Sequence, residues 1–265
     1  MLKYLFTVSI LILIIYFRWV FKALLYAFNN NLTINGGWLS YLWIWKEIFF
    51  DKDYNIQHNL DGKVIFDIGC NIGVFSLWLN KNYNNITVHC FEPIPDLFNA
   101  ASNNINHNKK NNNTFFINNF GLSSEKNMLE INYFPYVSGL STLYNDINEK
   151  ENAVESAYSK VHRIIWHILT RNKKKLDIQV KTVNEYINKN NITCIDLVKL
   201  DVEGAELDIM KGFGENINIV KEYIIEIENY RKNYLDNIKS LLHDFHISVE
   251  DADKSWCFVK AIRKY

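Results

Sequence analysis

The most informative part of this sequence is Lys63–Gly73, which has the sequence KVIFDIGCNIG. Its first six residues are mostly apolar and β-branched, a pattern typical of a buried parallel strand. Two glycines, Gly69 and Gly73, follow the strand, and the pattern from Gly73 to residue 79 predicts a helix. Glycine lets the backbone approach a ligand closely, and a helix N-terminus offers N–H groups without partners. The stretch therefore predicts a ligand-binding turn between a strand and a helix.

The alternation of strand and helix continues along the chain. The further predicted strands are residues 86–91, 114–117, 177–183, 194–200, 223–227 and 257–262. The further predicted helices are residues 95–106, 153–170, 184–190, 205–211 and 234–243. Strands that alternate with helices of this length predict a mainly parallel sheet with helices on both faces. Residues 121–147 interrupt the pattern and are predicted as an inserted β-rich segment, within one domain that spans residues 46–265.

The composition excludes several classes of protein. The chain has 265 residues, enough for one large domain, and its hydrophobic fraction of 48% rules out bulk disorder. Its 29 basic and 29 acidic side chains give zero net charge, which argues against a nucleic-acid binder that neutralises phosphates. Four cysteines and seven histidines are scattered without the spacing of metal ligands or of a disulfide framework. We therefore expect no metal site, no nucleic-acid partner and a reducing, cytoplasmic compartment.

The first 45 residues differ from the rest of the chain. Residues 4–17 form an uncharged apolar run of 14, which is shorter than the about 20 residues that a spanning helix needs. Residues 4–28 would be long enough if Arg18 and Lys22 reached toward the lipid headgroups. Three interpretations stay open: a membrane anchor, an interfacial helix, or a helix packed against the protein's own body. If the segment spans a membrane, the charges around it place the remaining chain on the cytoplasmic side.

Two carboxylates at predicted strand ends indicate the kind of ligand. Asp67 lies two positions before Gly69, where the dinucleotide motif G-x-G-x-x-G would have a glycine. A carboxylate there would repel a pyrophosphate but suits a ligand with a positive charge. Glu92 ends the second strand, 25 residues after Asp67, where an acidic side chain usually accepts hydrogen bonds from ribose hydroxyls. S-adenosylmethionine carries a ribose, a sulfonium and an ammonium, so it suits both carboxylates.

Three motifs, in this order, resemble the FkbM family of methyltransferases: residues 66–73 (FDIGCNIG), 91–93 (FEP) and 198–206 (VKLDVEGAE). The resemblance covers roughly residues 60–230. It implies a class I methyltransferase (Rossmann-like) fold and methyl transfer from S-adenosylmethionine to an oxygen, often on sugars or polyketide products. The candidate cofactor-binding residues are Asp67, Gly69, Asn71, Gly73, Glu92 and Asn119, the last of which precedes a stretch resembling the family's adenine-bordering segment.

The candidate catalytic residues are Asp201 and Glu203. They lie two positions apart in an extended segment at a strand end, so both carboxylates are expected on one side of the sheet's tip. One of them would act as general base or would position the acceptor hydroxyl. The alternative is a salt-bridged structural trio with Lys199. Glu206, on the following helix, is expected at the surface.

The leading hypothesis is O-methylation of a hydroxyl on a sugar, a glycolipid or another small acceptor. The alternative is a non-catalytic cofactor-binding or scaffold protein on the same fold, because Asn184 replaces an aspartate that the family often has there. A nucleotide-dependent oxidoreductase is disfavoured by Asp67 and by the missing third glycine. A chain tethered to a membrane would favour a lipid-linked acceptor.

Overall fold

The computed structural model describes residues 18–51, 54, 56–143, 168–228, 233–250 and 256–264. Within these residues the strands form one sheet of seven strands and one of three. The strands are β1 (Val64–Ile68), β2 (Thr87–Phe91), β3 (Thr114–Asn118), β4 (Gly121–Ser123), β5 (Asn127–Tyr133), β6 (Lys174–Thr182), β7 (Leu197–Leu200), β8 (Glu222–Glu228), β9 (Phe245–Glu250) and β10 (Trp256–Arg263).

The large sheet has the strand order β3-β2-β1-β7-β8-β10-β9. Its first five strands are mutually parallel, and β10 runs antiparallel between β8 and β9. The register places Asp67 of β1 beside Cys90 of β2 on one side and beside Lys199 of β7 on the other. The mainly parallel sheet that the sequence predicts is therefore confirmed, and its strand order brings the predicted site residues to one edge.

Helices cover both faces of the large sheet, as the sequence predicts. They are α1 (residues 18–29), α2 (Trp38–Trp45), α3 (Val74–Asn82), α4 (Pro95–Asn108), α5 (Val183–Lys189), α6 (Glu206–Gly212) and α7 (Tyr234–Leu241). The first four helices contribute to one hydrophobic cluster and the last three to the other. Because both faces are covered, four consecutive residues of β1 are buried, including the carboxylate of Asp67.

The small sheet is an insertion between β3 and the second half of the domain. β6 lies at its centre, parallel to β4 and antiparallel to β5. The sequence predicts a strand at residues 177–183 as part of the main alternation, but the structure pairs it within this separate sheet, because β4 and β5 supply its partners. Residues 144–147 of the predicted insertion and residues 153–167 of the predicted helix lie outside the described residues.

The N-terminal helices pack against the body of the domain. Trp19, Ala23 and Ala27 of α1 are buried in the core, and the Tyr41 hydroxyl of α2 donates a hydrogen bond to the Ala23 carbonyl at 2.6 Å. No helix in the described part of the chain is long and apolar enough to cross a membrane. Of the predicted apolar segment, residues 4–17 lie outside that part. The predicted boundary at residue 45, between the N-terminal apolar segment and the methyltransferase domain, stays a prediction.

We predict that Gly212→Ala destabilises the fold, because Gly212, at the end of α6, packs tightly against Ser123 of β4 in the small sheet. A Cβ atom there would lie 2.1 Å from the Ser123 carbonyl oxygen, a distance that forces the backbone to move. Overpacking of this kind lowers the free energy of unfolding by about 1–3 kcal/mol or more, measurable by chemical denaturation. Gly139→Ala is the matched control, because its nearest neighbour is 3.8 Å away. Equal stability of the two variants would contradict the packing argument.

Candidate cofactor and acceptor site

The turn after β1 is held in an unusual backbone conformation. Gly69, Asn71 and Gly73 all have positive φ angles, of 78°, 50° and 84°. Glycine adopts this left-handed region without strain, and asparagine tolerates it better than most residues. A Cβ atom at Gly69 would lie only 1.9 Å from the Asp201 carbonyl oxygen, so the turn packs directly against the residue that follows β7. The conformation and position of the turn therefore require these residue types.

Asp67 is completely buried at the base of this turn. Its Oδ2 accepts a hydrogen bond from the Ser76 hydroxyl at 2.7 Å. Its Oδ1 accepts no hydrogen bond from the described residues, and the Lys199 ammonium lies 3.7 Å away. Burial raises the pKa of Asp67, whereas Lys199 and Ser76 lower it. The sequence predicts a cationic ligand beside this carboxylate, and the structure shows that a cation of the protein itself already lies there.

Lys199 links the two sides of the site. Its buried Nζ donates a hydrogen bond to the Gly69 carbonyl at 2.9 Å and lies 3.1 Å from Asp201 Oδ2. Burial alone would lower the pKa of Lys199, but the Asp201 and Asp67 carboxylates raise it above its ordinary value. The Tyr54 hydroxyl also lies within hydrogen-bond distance of Asp201 Oδ2, at 3.3 Å. The salt-bridged trio is thus Asp67, Lys199 and Asp201, not the expected combination with Glu203.

Glu92 ends β2 and accepts hydrogen bonds from two backbone N–H groups, those of Asn71 and Ile94, each at 3.0 Å. Burial raises the pKa of Glu92 to about 7, although these two hydrogen bonds lower it. Asn119 donates from Nδ2 to the Glu92 carbonyl at 3.0 Å and to the Pro93 carbonyl at 3.2 Å. Asn119 therefore fixes the backbone that carries Glu92, and the structure brings all six predicted cofactor residues to the ends of β1, β2 and β3.

These residues fit S-adenosylmethionine. Each Glu92 oxygen accepts one backbone hydrogen bond and keeps a second lone pair, which suits the two hydroxyls of a ribose. The orphaned Oδ1 of Asp67 leaves one further acceptor at the base of the turn. The net charge of Asp67, Lys199 and Asp201, when all three are ionised, is negative, which favours a cationic ligand at this edge.

The two predicted catalytic carboxylates, Asp201 and Glu203, follow the end of β7. Glu203 has a left-handed backbone with φ of 55°, and its carbonyl accepts a hydrogen bond from the Thr142 hydroxyl at 2.7 Å. A non-glycine residue in this conformation stores about 1–3 kcal/mol of strain, which is common at functional sites. The expected surface position of Glu206 is wrong: it is 1% exposed, because its carboxylate accepts hydrogen bonds from the Gly204 N–H and the Tyr234 hydroxyl.

Further residues shape the site, and two of them, Tyr54 and Ser138, have no local signal in the sequence. Tyr54 contacts Asp201 although the two residues are 147 positions apart in the sequence, so no local pattern predicts the contact. Ser138 hydrogen-bonds to Asn71 from the inserted segment. Glu226 of β8 has its pKa raised well above the ordinary value by burial and by the nearby carboxylates of Asp201, Glu47 and Glu203. Glu226 differs from the other two because the sequence does indicate it: a carboxylate near the end of a predicted strand could line the site, although an exposed strand end would explain it as well.

The chain matches the family model described as "Methyltransferase FkbM domain" over residues 67–251, which include every candidate site residue. Methyltransferase 1 of Beauveria bassiana is 30% identical over 215 residues, covering 79% of this chain and 83% of that protein. Methyltransferase sdnD of Sordaria araneosa is 32% identical over 192 residues, covering 69% and 73%. The 31-O-demethyl-FK506 methyltransferase FkbM of Streptomyces tacrolimicus is 25% identical over 190 residues, covering 68% and 70%.

The family match spans most of the chain and agrees with the strand order and with the residues at the strand ends. It confirms the class I methyltransferase fold and the cofactor that the motifs predict. The chain belongs to the FkbM family of S-adenosylmethionine-dependent methyltransferases.

Proposed function

We propose that the protein methylates a hydroxyl oxygen of a small acceptor, such as a sugar or a glycolipid. The observation that carries this proposal is the contact between Gly69 of the cofactor turn and the backbone of Asp201. The segment that carries Asp201 and Glu203 therefore begins against the cofactor turn, which supports a role for these carboxylates near the transferred methyl group. The Streptomyces relative is named as a 31-O-demethyl-FK506 methyltransferase, a name that points to methylation at an oxygen and supports the same atom type here.

The cofactor-binding roles follow from the contacts at the strand ends. We assign the ribose hydroxyls to Glu92, close backbone approach to the turn at Gly69, Asn71 and Gly73, and the support of Glu92 to Asn119. Asp67 holds the base of the turn through Ser76 and Lys199. When bound, S-adenosylmethionine supplies a methyl carbon activated by its sulfonium. Alignment of donor and acceptor would then account for up to about 7–11 kcal/mol of the lowered barrier.

The catalytic roles divide between the two predicted carboxylates. Asp201 is engaged by Lys199 and lies near the Tyr54 hydroxyl, so we assign it to positioning. We assign Glu203 to the removal of the acceptor proton, since its strained backbone holds it at the same strand end. The competing function is a cofactor-binding protein without turnover on the same fold. It differs from the proposal in one measurable respect, the absence of methylated product with every hydroxylated acceptor.

We predict that Glu92→Ala and Asp67→Ala weaken S-adenosylmethionine binding by at least about 100-fold. Hydrogen bonds to a charged group are worth about 1.5–3 kcal/mol each, and Glu92 offers two of them to the ribose. Isothermal titration calorimetry measures the change in Kd. Glu185→Ala is the control, because this half-exposed glutamate lies on α5, outside the site. A folded Glu92→Ala variant that binds within threefold (roughly) of wild type would refute the ribose assignment.

The pH dependence of binding should report the Glu92 carboxylate. Its pKa of about 7 means that protonation below neutrality removes an acceptor that the ribose hydroxyls need. We expect Kd to rise by up to about tenfold per pH unit as the pH falls below the pKa, and to level off above it. The Kd of Glu92→Gln, which cannot ionise, should lack this dependence. Titration of the ligand affects the Kd of both proteins equally. The ratio of the wild-type Kd to the variant Kd at each pH therefore reports only the ionisation of Glu92.

We predict that Glu203→Gln leaves the Kd for S-adenosylmethionine unchanged and lowers kcat by about 10²–10⁴-fold, the usual contribution of a general base. Single-turnover assays with a panel of hydroxylated acceptors measure this effect. Glu215→Gln serves as the control, because Glu215 is an exposed carboxylate on the 3₁₀ helix at Gly214–Ile219. Normal turnover by Glu203→Gln with a true acceptor would remove the base role from this residue.

A further inference from the structure

Exposed apolar side chains concentrate in the N-terminal helices. Among the described residues, 13 large hydrophobic side chains are exposed, and eight of them lie between residues 21 and 50. The remaining five are scattered over β3, β5, β10, one connecting segment and the helical residues 168–170. Single exposed hydrophobic residues are normal on a protein surface, but a concentration of them marks a contact site.

Helix α1 is apolar on two opposite faces. Its inner face buries Trp19, Ala23 and Ala27 in the core. Its outer face exposes Phe21, Leu24, Leu25 and Phe28, which follow the i, i+3, i+4, i+7 spacing of one helical stripe. The polar positions Arg18 and Lys22 lie to one side of this stripe and are also exposed. A helix that is apolar nearly all round normally lies inside a protein core or a membrane.

Helix α2, which packs against α1, also exposes large apolar side chains. It has no charged residue, and Trp38, Leu39 and Trp43 are each more than half exposed, at 54%, 51% and 58%. The hydrogen bond from Tyr41 to Ala23 fixes α2 against α1. We call the outer side chains of the two helices, Phe21 to Phe28 on α1 and Trp38 to Trp43 on α2, the N-terminal apolar surface.

We propose that the N-terminal apolar surface lies on a lipid bilayer. Tryptophan and phenylalanine are favoured at the membrane interface, and the two basic side chains beside the α1 stripe suit lipid phosphates. The sequence directly before α1, residues 4–17, contains no charged residue and is apolar throughout, apart from Thr7 and Ser9. The sequence that precedes this surface is therefore as apolar as the surface itself.

Helix α2, which carries part of the N-terminal apolar surface, is linked to the cofactor turn through Ser138 and Gly139. Ser40 of α2 accepts a hydrogen bond from the Gly139 N–H at 3.2 Å, and the neighbouring Ser138 bonds to Asn71 of the turn at 3.2 Å. The Ser138 N–H also donates to the Gly36 carbonyl, just before α2, at 3.0 Å. One short segment thus separates the bilayer contact from the site. The acceptor class that follows is a hydroxylated molecule anchored in lipid, and this consequence rests on the proposed function.

The test is vesicle co-sedimentation of the full chain with phosphatidylcholine vesicles, with and without phosphatidylserine. We expect wild type to bind and each of two double variants, Phe21→Ser/Phe28→Ser and Trp38→Ser/Trp43→Ser, to lose at least about tenfold in partition. Met128→Ser is the matched control, because Met128 is 57% exposed on β5 of the small sheet. It should bind vesicles like wild type. Phosphatidylserine should strengthen wild-type binding through Arg18 and Lys22.

Three outcomes would overturn the proposal. Wild type that stays in the supernatant has no bilayer contact. Double variants that bind like wild type would show that the contact lies elsewhere in the chain. Wild type that dimerises without binding vesicles, with double variants that are monomers, would identify a second copy as the occupant.

A second measurement guards against unfolded variants. Brominated lipids should quench the tryptophan fluorescence of wild type, and the Trp38→Phe/Trp43→Phe variant should lose most of this quenching. Bound wild type that is not quenched more strongly than this variant would again contradict the contact. Cofactor titration of the same samples keeps the two proposals apart. Loss of S-adenosylmethionine binding by wild type would sink the methyl-transfer proposal and leave the vesicle result standing.

Discussion

The buried ammonium of Lys199 holds the site together. It lies within 4 Å of oxygen atoms from Asp67 on β1, Gly69 in the turn and Asp201 after β7. Taking this charge out of water is unfavourable, and only the surrounding oxygens offset that penalty. Removing one partner of such a buried group typically costs about 3–5 kcal/mol. The position of the turn, the end of β7 and the state of Asp67 therefore all depend on one side chain.

The same arrangement gives the ends of β1 and β7 different electrostatic characters. At the end of β1, the two carboxylates around Lys199, when both are ionised, exceed its single positive charge, which favours a cationic ligand. Beyond β7, burial and the carboxylates of Asp201, Glu47 and Glu203 raise the pKa of Glu226. An additional negative charge is unfavourable there, so Glu226 takes up a proton more readily than an exposed carboxylate does.

The sequence was sufficient for those parts of the structure that local patterns dictate. The strand, turn and helix around Gly69 follow from apolar periodicity and from glycines that need positive φ angles. The partners of charged groups were not predictable in this way. Lys199 turned out to neutralise Asp67, and Glu206 is buried because Tyr234, on a helix further along the chain, supplies a donor. Likewise β6 has the pattern of any strand, and only its pairing with β5 assigns it to the small sheet.

The N-terminal helices show why burial alone does not explain an apolar sequence. The inner face of α1 packs against the protein's own body, as one of the three interpretations of this segment expects. The outer face of the same helix also consists of apolar side chains, but these are exposed. Solubility alone would favour polar residues on an outer helix face. Charged residues are common elsewhere in this chain, so their scarcity on this face calls for an explanation. Because the net charge is zero, long-range attraction contributes little, and contact with a bilayer would depend mainly on buried apolar area. Ser138 bonds both to Gly36, just before α2, and to Asn71 of the cofactor turn, so an enzyme that contacts a bilayer through these helices would meet its acceptor near the bilayer surface.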